Sequence, residues 1–180
     1  IVLVYVALHP ESTVRTIAVD VGLTERAALS ILRDPDDEGI VQRTRNGRRE
    51  SGAFLLGVNT KDGKRILEFV FYDDIDPCAL DTGIVHFSGN RLPKLWEHCR
   101  KRGYGVVADV HVHPSGYGQS MSDQADPVMP RAGHIAMIVP DFATQGTEPG
   151  RIGLYEYRGE GIWRDHSNRG REFFLLEQPT

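Results

Sequence analysis

Cysteine is nearly missing from this chain: Cys78 and Cys99 are the only two in 180 residues. So few cysteines supply no disulfide framework and fit a reducing, cytoplasmic address. Long hydrophobic runs are missing as well. The opening IVLVYVAL is only eight residues long, whereas a helix that spans a bilayer needs about 20. That opening also lacks the basic region and cleavage pattern of a secretory signal. It begins with Ile rather than Met, which is the expectation for a piece of a longer protein. A large charge of one sign is lacking too: the net charge is −4 and the pI near 6.0, so no global field pulls the chain toward nucleic acid. Neither an internal repeat nor a low-complexity tract is present. What is there, 40% apolar and 26% charged residues, is the composition of a folded soluble protein. Its length suits one compact domain, or a small module joined to a mid-sized one.

Residues 1–47 read differently from the rest. A Ser/Thr start at Ser12 and Thr13 leads into apolar residues at helical spacing up to Gly22. Thr24 can cap a second helix, with Ala28, Leu29, Ile31 and Leu32 as its apolar stripe and Pro35 as its stop. GIVQRTRNGRR then reads as a strand, an Asn-Gly turn and a return strand. Helix, turn, helix and hairpin in this order resembles the winged helix-turn-helix family. The resemblance implies DNA contact through residues 12–49, by the second helix and by Arg43, Arg45, Arg48 and Arg49. The acidic run Asp34, Asp36, Asp37 and Glu38 would repel phosphate near that surface, so a packing or protein-docking module of the same shape stands beside it.

From Glu50 onward, strands and helices alternate, which implies an α/β (α+β) domain over residues 48–180. SGAFLLGV and RILEFVFY read as strands joined by a Lys-Asp-Gly-Lys turn. DDIDPCALDTGIVHFSGN is a long polar connection without a period. LPKLWEHCRKRGYG reads as a helix, with Pro93 in its first turn, Leu92, Leu95, Trp96 and Cys99 on one stripe, and Gly103 at its end. VVADVHVH is the central strand, HIAMIVP another, and RIGLYEY the last clear one, reached after the loop DFATQGTEPG.

The chemistry concentrates in HVHPSGYGQSMSD, residues 111–123. Side chains two apart on a strand point to one face, so His111 and His113 look the same way where a loop begins at Pro114. Gly116 and Gly118 let that loop turn back cheaply. SMSD fits a helix start, with Ser120 as cap and Asp123 three residues on. Two imidazoles and one carboxylate are a catalytic zinc set: three protein ligands with the fourth position left for water. Asp126 is a weaker alternative ligand. Asp109 shares the face of His111, where it is either a partner for a histidine or turned to solvent. His134 reads as structural, hydrogen-bonded behind the site. His9, His86, His98 and His166 have no partner pattern.

Glu50, His111, His113-Pro114, Ser120 and Asp123 together resemble the Glu … His-x-His-Pro … Ser-x-x-Asp motif (JAMM motif) of the JAB/MPN metalloproteases, prokaryotic type. ESGAFLLG at 50–57 matches the Gly-x-Leu-x-Gly strand that follows the family's glutamate, and the resemblance covers about residues 48–165. Two departures are Val112, where Ser or Thr is common, and a spacing from His113 to Ser120 one residue shorter than usual. The resemblance implies a JAB/MPN-like, cytidine-deaminase-like mixed β-sheet flanked by helices. It implies Zn2+ on His111, His113 and Asp123, with Glu50 holding the nucleophilic water as general base and acid. Ser120 would donate a hydrogen bond to the developing oxyanion. Such enzymes cleave peptide or isopeptide bonds at the C-terminus of ubiquitin or ubiquitin-like proteins, and some bacterial relatives trim sulfur-carrier proteins of that fold. The connection 73–90 and the loop 141–150 are then candidates for gripping the substrate's extended tail. An alternative is a nucleic-acid-associated JAB-domain protein, with the N-terminal module on DNA. A non-catalytic scaffold ranks last, because scaffolds lose the ligands that this chain keeps.

Overall fold

The computed structural model describes residues 48–61, 63–143 and 150–173, apart from the side chain at 171. The expectations placed on residues 1–47, including nearly all of the helix-turn-helix reading, lie outside the described residues.

Strand β1 (Gly52–Thr60) is buried on both faces from Gly52 through Gly57. An unbroken apolar run of this kind is how a central strand reads. Antiparallel β2 (Gly63–Phe71) lies on one side of it and is exposed or half-buried up to Phe71, as befits an edge. A single turn α1 (Tyr72–Ile75) follows, then a long connection to α2 (Leu92–Arg102). Strand β3 (Gly105–Val112) pairs antiparallel with the other side of β1. The short helix α3 (Met121–Ala125) precedes β4 (Ile135–Val139), β5 (Gly153–Gly159) and β6 (Ile162–Asp165). The sheet order is β2-β1-β3-β4-β5-β6. Among the described strands only β3 and β4 run parallel; every other neighbour is antiparallel. The mixed sheet with few helices agrees with the α+β expectation. Parallel neighbours need a crossover, and here the crossover carries α3.

Alternation along the strands divides the core in two. Ala53, Leu55, Val110, Val112, Met137, Val139 and Leu154 fill one face. Phe54 and Leu56 turn to the other, where they meet Leu95 and Cys99 of α2, Ile75 of α1 and Leu80 of the connection. Burying each such Leu or Phe contributes about 1.5–3 kcal/mol, so α2 is held by its apolar face. Asp109 and His111 alternate with Val110 and Val112, which puts them on the α2 face.

Two local expectations change. Trp96, placed on the buried stripe of α2, is 36% exposed. Leu95 and Cys99, one turn apart, face the sheet, and Trp96 stands about 100° round the helix from Leu95. The last strand is not RIGLYEY but β6, joined to β5 by Glu160 (φ 53) and Gly161 (φ 74). Two successive positive φ values are the signature of a type I′ hairpin turn. No helix among the described residues is long and apolar enough to cross a membrane.

Candidate metal centre

Register across the sheet puts Gly52, His111, Ile138 and Gly153 in one row over β1, β3, β4 and β5. Both glycines are demanded by close approach. A Cβ on Gly52 would meet the Val110 carbonyl oxygen at 2.4 Å, the Tyr72 ring at 2.6 Å and His111 Cβ at 2.8 Å. One on Gly153 would meet the Tyr117 carbonyl oxygen at 2.3 Å. The first glycine lets the Tyr72 ring lie against the base of His111. The second lets the loop after Pro114 cross over β5, where the Tyr155 hydroxyl donates to the Tyr117 carbonyl at 3.0 Å. That crossing turns the chain back, and α3 begins beside the end of β3.

The start of α3 is a capping box. The Asp123 amide donates to the Ser120 hydroxyl oxygen at 3.1 Å, and the Ser120 amide donates to Asp123 Oδ2 at 2.6 Å. This exchange satisfies orphan amides of the first turn and fixes the direction of the Asp123 carboxylate.

His111 is the penultimate residue of β3, and His113 follows the strand. Its amide still continues the ladder, donating to the Val139 carbonyl at 2.9 Å. Its carbonyl accepts from the Phe142 amide at 2.8 Å. Asp141, Phe142 and Ala143 hold that turn with φ of 53°, 52° and 60°, a conformation that costs non-glycine residues about 1–3 kcal/mol each. The two imidazoles converge: their Nε2 atoms are 3.0 Å apart. Asp123 Oδ1 lies 3.3 Å from His111 Nε2, and Oδ2 lies 3.3 Å from His113 Nε2. Tetrahedral coordination with bonds of about 2.0–2.1 Å separates neighbouring ligand atoms by about 3.3–3.4 Å. The two 3.3 Å spacings end on different oxygens of Asp123, and one donor atom from each of His111, His113 and Asp123 lies within 4.8 Å of the others, so this N,N,O set is close enough to gather on one such ion. Asp126 is not in this group.

The electrostatics agree with the geometry. Burial pushes the His111 pKa down, but the bond to Asp123 and the charges of Asp123, Asp109 and Glu50 outweigh it and raise it overall. Burial pushes Asp123 up, yet its bonds with His111 and His113 and the Ser120 amide hold it well below the usual carboxylate range. His111 Nδ1 is buried without a hydrogen-bond partner among the described residues. On that side of the ring, packing by Gly52 and Tyr72 takes the place of a hydrogen bond, while Nε2 is held by His113 and Asp123.

Glu50 stands beyond the triangle, with Oε1 3.9 Å from His113 Nε2. Pairing of β1 with β3 brings it there, extended one step by the Val112 amide on the Ser51 carbonyl at 2.9 Å. Its other oxygen, Oε2, accepts from the Val85 amide at 3.1 Å. All five residues singled out in the sequence thus meet at one end of the sheet, at the carboxyl ends of the parallel pair.

Behind the site, Asp109 is buried and doubly bonded: Tyr72 donates to Oδ2 at 2.6 Å, and His134 Nε2 lies 2.5 Å from Oδ1. Asp109 therefore is a histidine's partner, that of His134, and is not turned to solvent. Burial, then the charge and bond of Asp109, raise the Tyr72 pKa well above its ordinary value. Three residues had no sequence signal of their own: Tyr72, Val85 and Asp76, the last a buried carboxylate within the polar connection. Of the histidines without a pattern, His98 pairs with Glu68 at 2.8 Å and His166 with Glu156 at 3.0 Å, both away from the triangle.

No family model matches the chain. Among curated proteins, a Sinorhizobium fredii (strain NBRC 101917 / NGR234) protein named "Probable metalloprotease y4jG" is 25% identical over 116 residues, 64% of this chain and 72% of its own length. Among solved structures, a solution structure from Desulfitobacterium hafniense aligns over 69% of this chain and 83% of its own, with 17% identity and a TM-score of 0.41. Another, from Salinibacter ruber (strain DSM 13855), aligns over 78% and 92%, with 16% identity and a TM-score of 0.45.

Proposed function

We propose that this chain is a zinc-dependent metalloprotease of JAB/MPN type, which hydrolyses a peptide or isopeptide bond at the C-terminus of a ubiquitin-like or sulfur-carrier-like protein. One observation carries the reading: donor atoms of His111, His113 and Asp123 converge within 4.8 Å of one another, with a second carboxylate, Glu50, 3.9 Å from His113 Nε2. The name of the Sinorhizobium fredii relative supports the general activity.

A zinc ion held by His111 Nε2, His113 Nε2 and the Asp123 carboxylate would supply Lewis acidity to the scissile carbonyl and lower the pKa of water. The protein's own groups do the rest. Glu50 Oε1 is the free oxygen of a carboxylate whose partner Oε2 is tied to Val85, so it takes the proton of the attacking water and delivers it to the leaving amine. Ser120 Oγ accepts from the Asp123 amide, which leaves its own proton to donate to the oxygen that gains charge as the carbonyl is attacked. One such donor is worth about 2.7–4 kcal/mol in a water-excluded site. Around the mouth, Ile84, Tyr117 and Met121 expose apolar surface, Met121 to 89%. These side chains suit contact with an extended tail.

Metal analysis of purified protein, with cleavage of a panel of ubiquitin-like fusions, tests the reading. The expected result is one zinc per chain, lost in His111→Ala, and cleavage abolished in Glu50→Gln with zinc retained. Full turnover by Glu50→Gln, or no zinc binding by the native protein, would refute it.

A further inference from the structure

We propose that Asp76 is a positioning residue for Glu50: it folds the connection between α1 and α2 into the frame that fixes the glutamate's backbone and one of its carboxylate oxygens. This rests on the reading of Glu50 as general base, and it changes the expectation for the connection, from a grip on substrate to a mount for the base.

Asp76 is 3% exposed and takes no part in the chemistry above. A buried carboxylate is costly unless it is hydrogen-bonded, and this one is satisfied from both ends of the connection. Its Oδ1 accepts from the Cys78 amide at 3.2 Å, and its Oδ2 from the Ser88 amide at 3.1 Å. Arg91 Nε stands 3.9 Å from Oδ1. One side chain therefore joins the two ends of the connection.

Inside that closure, short backbone bonds replace secondary structure. The Asp81 amide donates to the Cys78 carbonyl at 3.2 Å, Gly83 to Leu80 at 3.3 Å and His86 to Ala79 at 2.8 Å. Buried Ala79 and Leu80 root the loop in the core, and Phe87 packs edge-on against Phe54 at 5.1 Å. The tip then presents two groups to Glu50. The Gly83 carbonyl accepts from the Glu50 amide at 2.9 Å, and the Val85 amide donates to Glu50 Oε2 at 3.1 Å. With Oε2 occupied, Oε1 is the oxygen turned toward His113. Reacting groups work only when held within about 0.5 Å of their productive place by a supporting shell, and Asp76 is the side chain that closes this one.

The test compares Asp76→Asn and Asp76→Ala with native protein in four measurements. These are hydrogen exchange of the Val85 and Ser88 amides, the NMR resonance of the Glu50 side-chain carboxyl carbon, Zn2+ affinity by chelator competition, and kcat and KM on a ubiquitin-like fusion. Asparagine keeps one acceptor and turns an NH2 toward a backbone donor, so it should loosen the loop without emptying the core. The expected result is faster exchange at both amides, a displaced Glu50 resonance and Zn2+ affinity within about twofold of native. With it, kcat should fall about tenfold or more at nearly constant KM, a part of the about 10²–10⁴-fold that a positioned base contributes. If Ser88 loosens while Val85 exchange and the Glu50 resonance stay native, Asp76 merely staples the loop and the proposal is wrong. If Zn2+ affinity falls as far as kcat, Asp76 acts through the metal ligands and the proposal is likewise overturned. Absence of any cleavage by native protein counts against the peptidase reading alone, because the exchange and resonance measurements decide the role of Asp76 without it.

Discussion

Ser120 and Asp123 each accept a hydrogen bond from the other's backbone amide, at 3.1 and 2.6 Å. The same carboxylate that caps α3 completes the ligand triangle, so the helix start and the metal site are one structure. Replacing Ser120 by Ala removes the cap acceptor, which should lower stability by about 1 kcal/mol. Alanine keeps the Ser120 backbone amide that donates to Asp123 Oδ2, so zinc binding should weaken only through the loosened helix start, by less than the roughly tenfold that loss of a ligand's own supporting bond costs. Ser120→Thr should keep both properties. Denaturant titration and chelator competition check this, and unchanged zinc affinity in Ser120→Ala would show that the cap does not orient the ligand.

The two glycines of the His111 row give the second prediction. Gly52→Ala puts a methyl 2.4 Å from a backbone oxygen, and Gly153→Ala puts one 2.3 Å from another. Neither obstacle is the end of a flexible side chain, so the strands or the loop must move, at about 1–3 kcal/mol. Gly52→Ala should also weaken zinc binding, because its methyl displaces Tyr72 and His111. Gly89→Ala, with nothing within 4 Å of its added methyl, serves as the control and should be neutral or slightly stabilising. Equal melting temperatures for all three variants would contradict this account of the row.

Much of the site is legible in the sequence because it is local. His111 and His113 share a face by strand geometry, and the capping box from Ser120 to Asp123 spans one helical turn. Glu50 is different: its place beside His113 depends on β1 pairing with β3 across more than fifty residues, which the motif resemblance supplied and no periodicity could. The frame around Glu50 left no trace. Asp76 finds Ser88 across an aperiodic loop, and Val85 contributes only its amide, which every residue but proline carries. Trp96 misled because a stripe of apolar letters does not reveal which edge of the helix the sheet covers. The hairpin to β6 was hidden because its turn begins with Glu160, an unusual residue for a positive φ.

The buried phenol of Tyr72 sets the third prediction. Its pKa is raised, first by burial and then by Asp109, so the folded protein favours the neutral form more than the unfolded chain does. Stability from this group is complete below the unfolded value of about 10 and is lost as pH rises through the higher folded value. Tyr72→Phe keeps the ring but leaves Asp109 short of one donor, which should cost about 1–3 kcal/mol at neutral pH. The gap between native and Tyr72→Phe should then narrow above pH about 10, because only the native protein has a phenol to ionise. Urea denaturation at neutral and alkaline pH reads it, and a constant gap would mean that Tyr72 titrates normally.

Metal removal should have a pH signature of its own. In the metal-free protein the His111 pKa is raised overall by Asp123, Asp109 and Glu50 against the opposing pull of burial. The contribution of protonated His111 to stability is thus complete below the ordinary histidine value of about 6.5 and is lost as pH rises through the folded pKa. Zinc runs the other way. It needs His111 neutral, so binding displaces a proton and apparent affinity rises with pH until that proton is gone. Asp123, held well below the usual carboxylate range, adds no competition at these pH values. Because a ligand that binds only the folded state stabilises it in proportion to the logarithm of its occupancy, the melting-temperature difference between zinc-loaded and chelator-treated protein should widen as pH rises from about 5.5 to about 8, the range that brackets histidine titration. His111→Ala should show no difference at any pH. A difference that is flat with pH in the native protein would mean that the ion does not sit on His111.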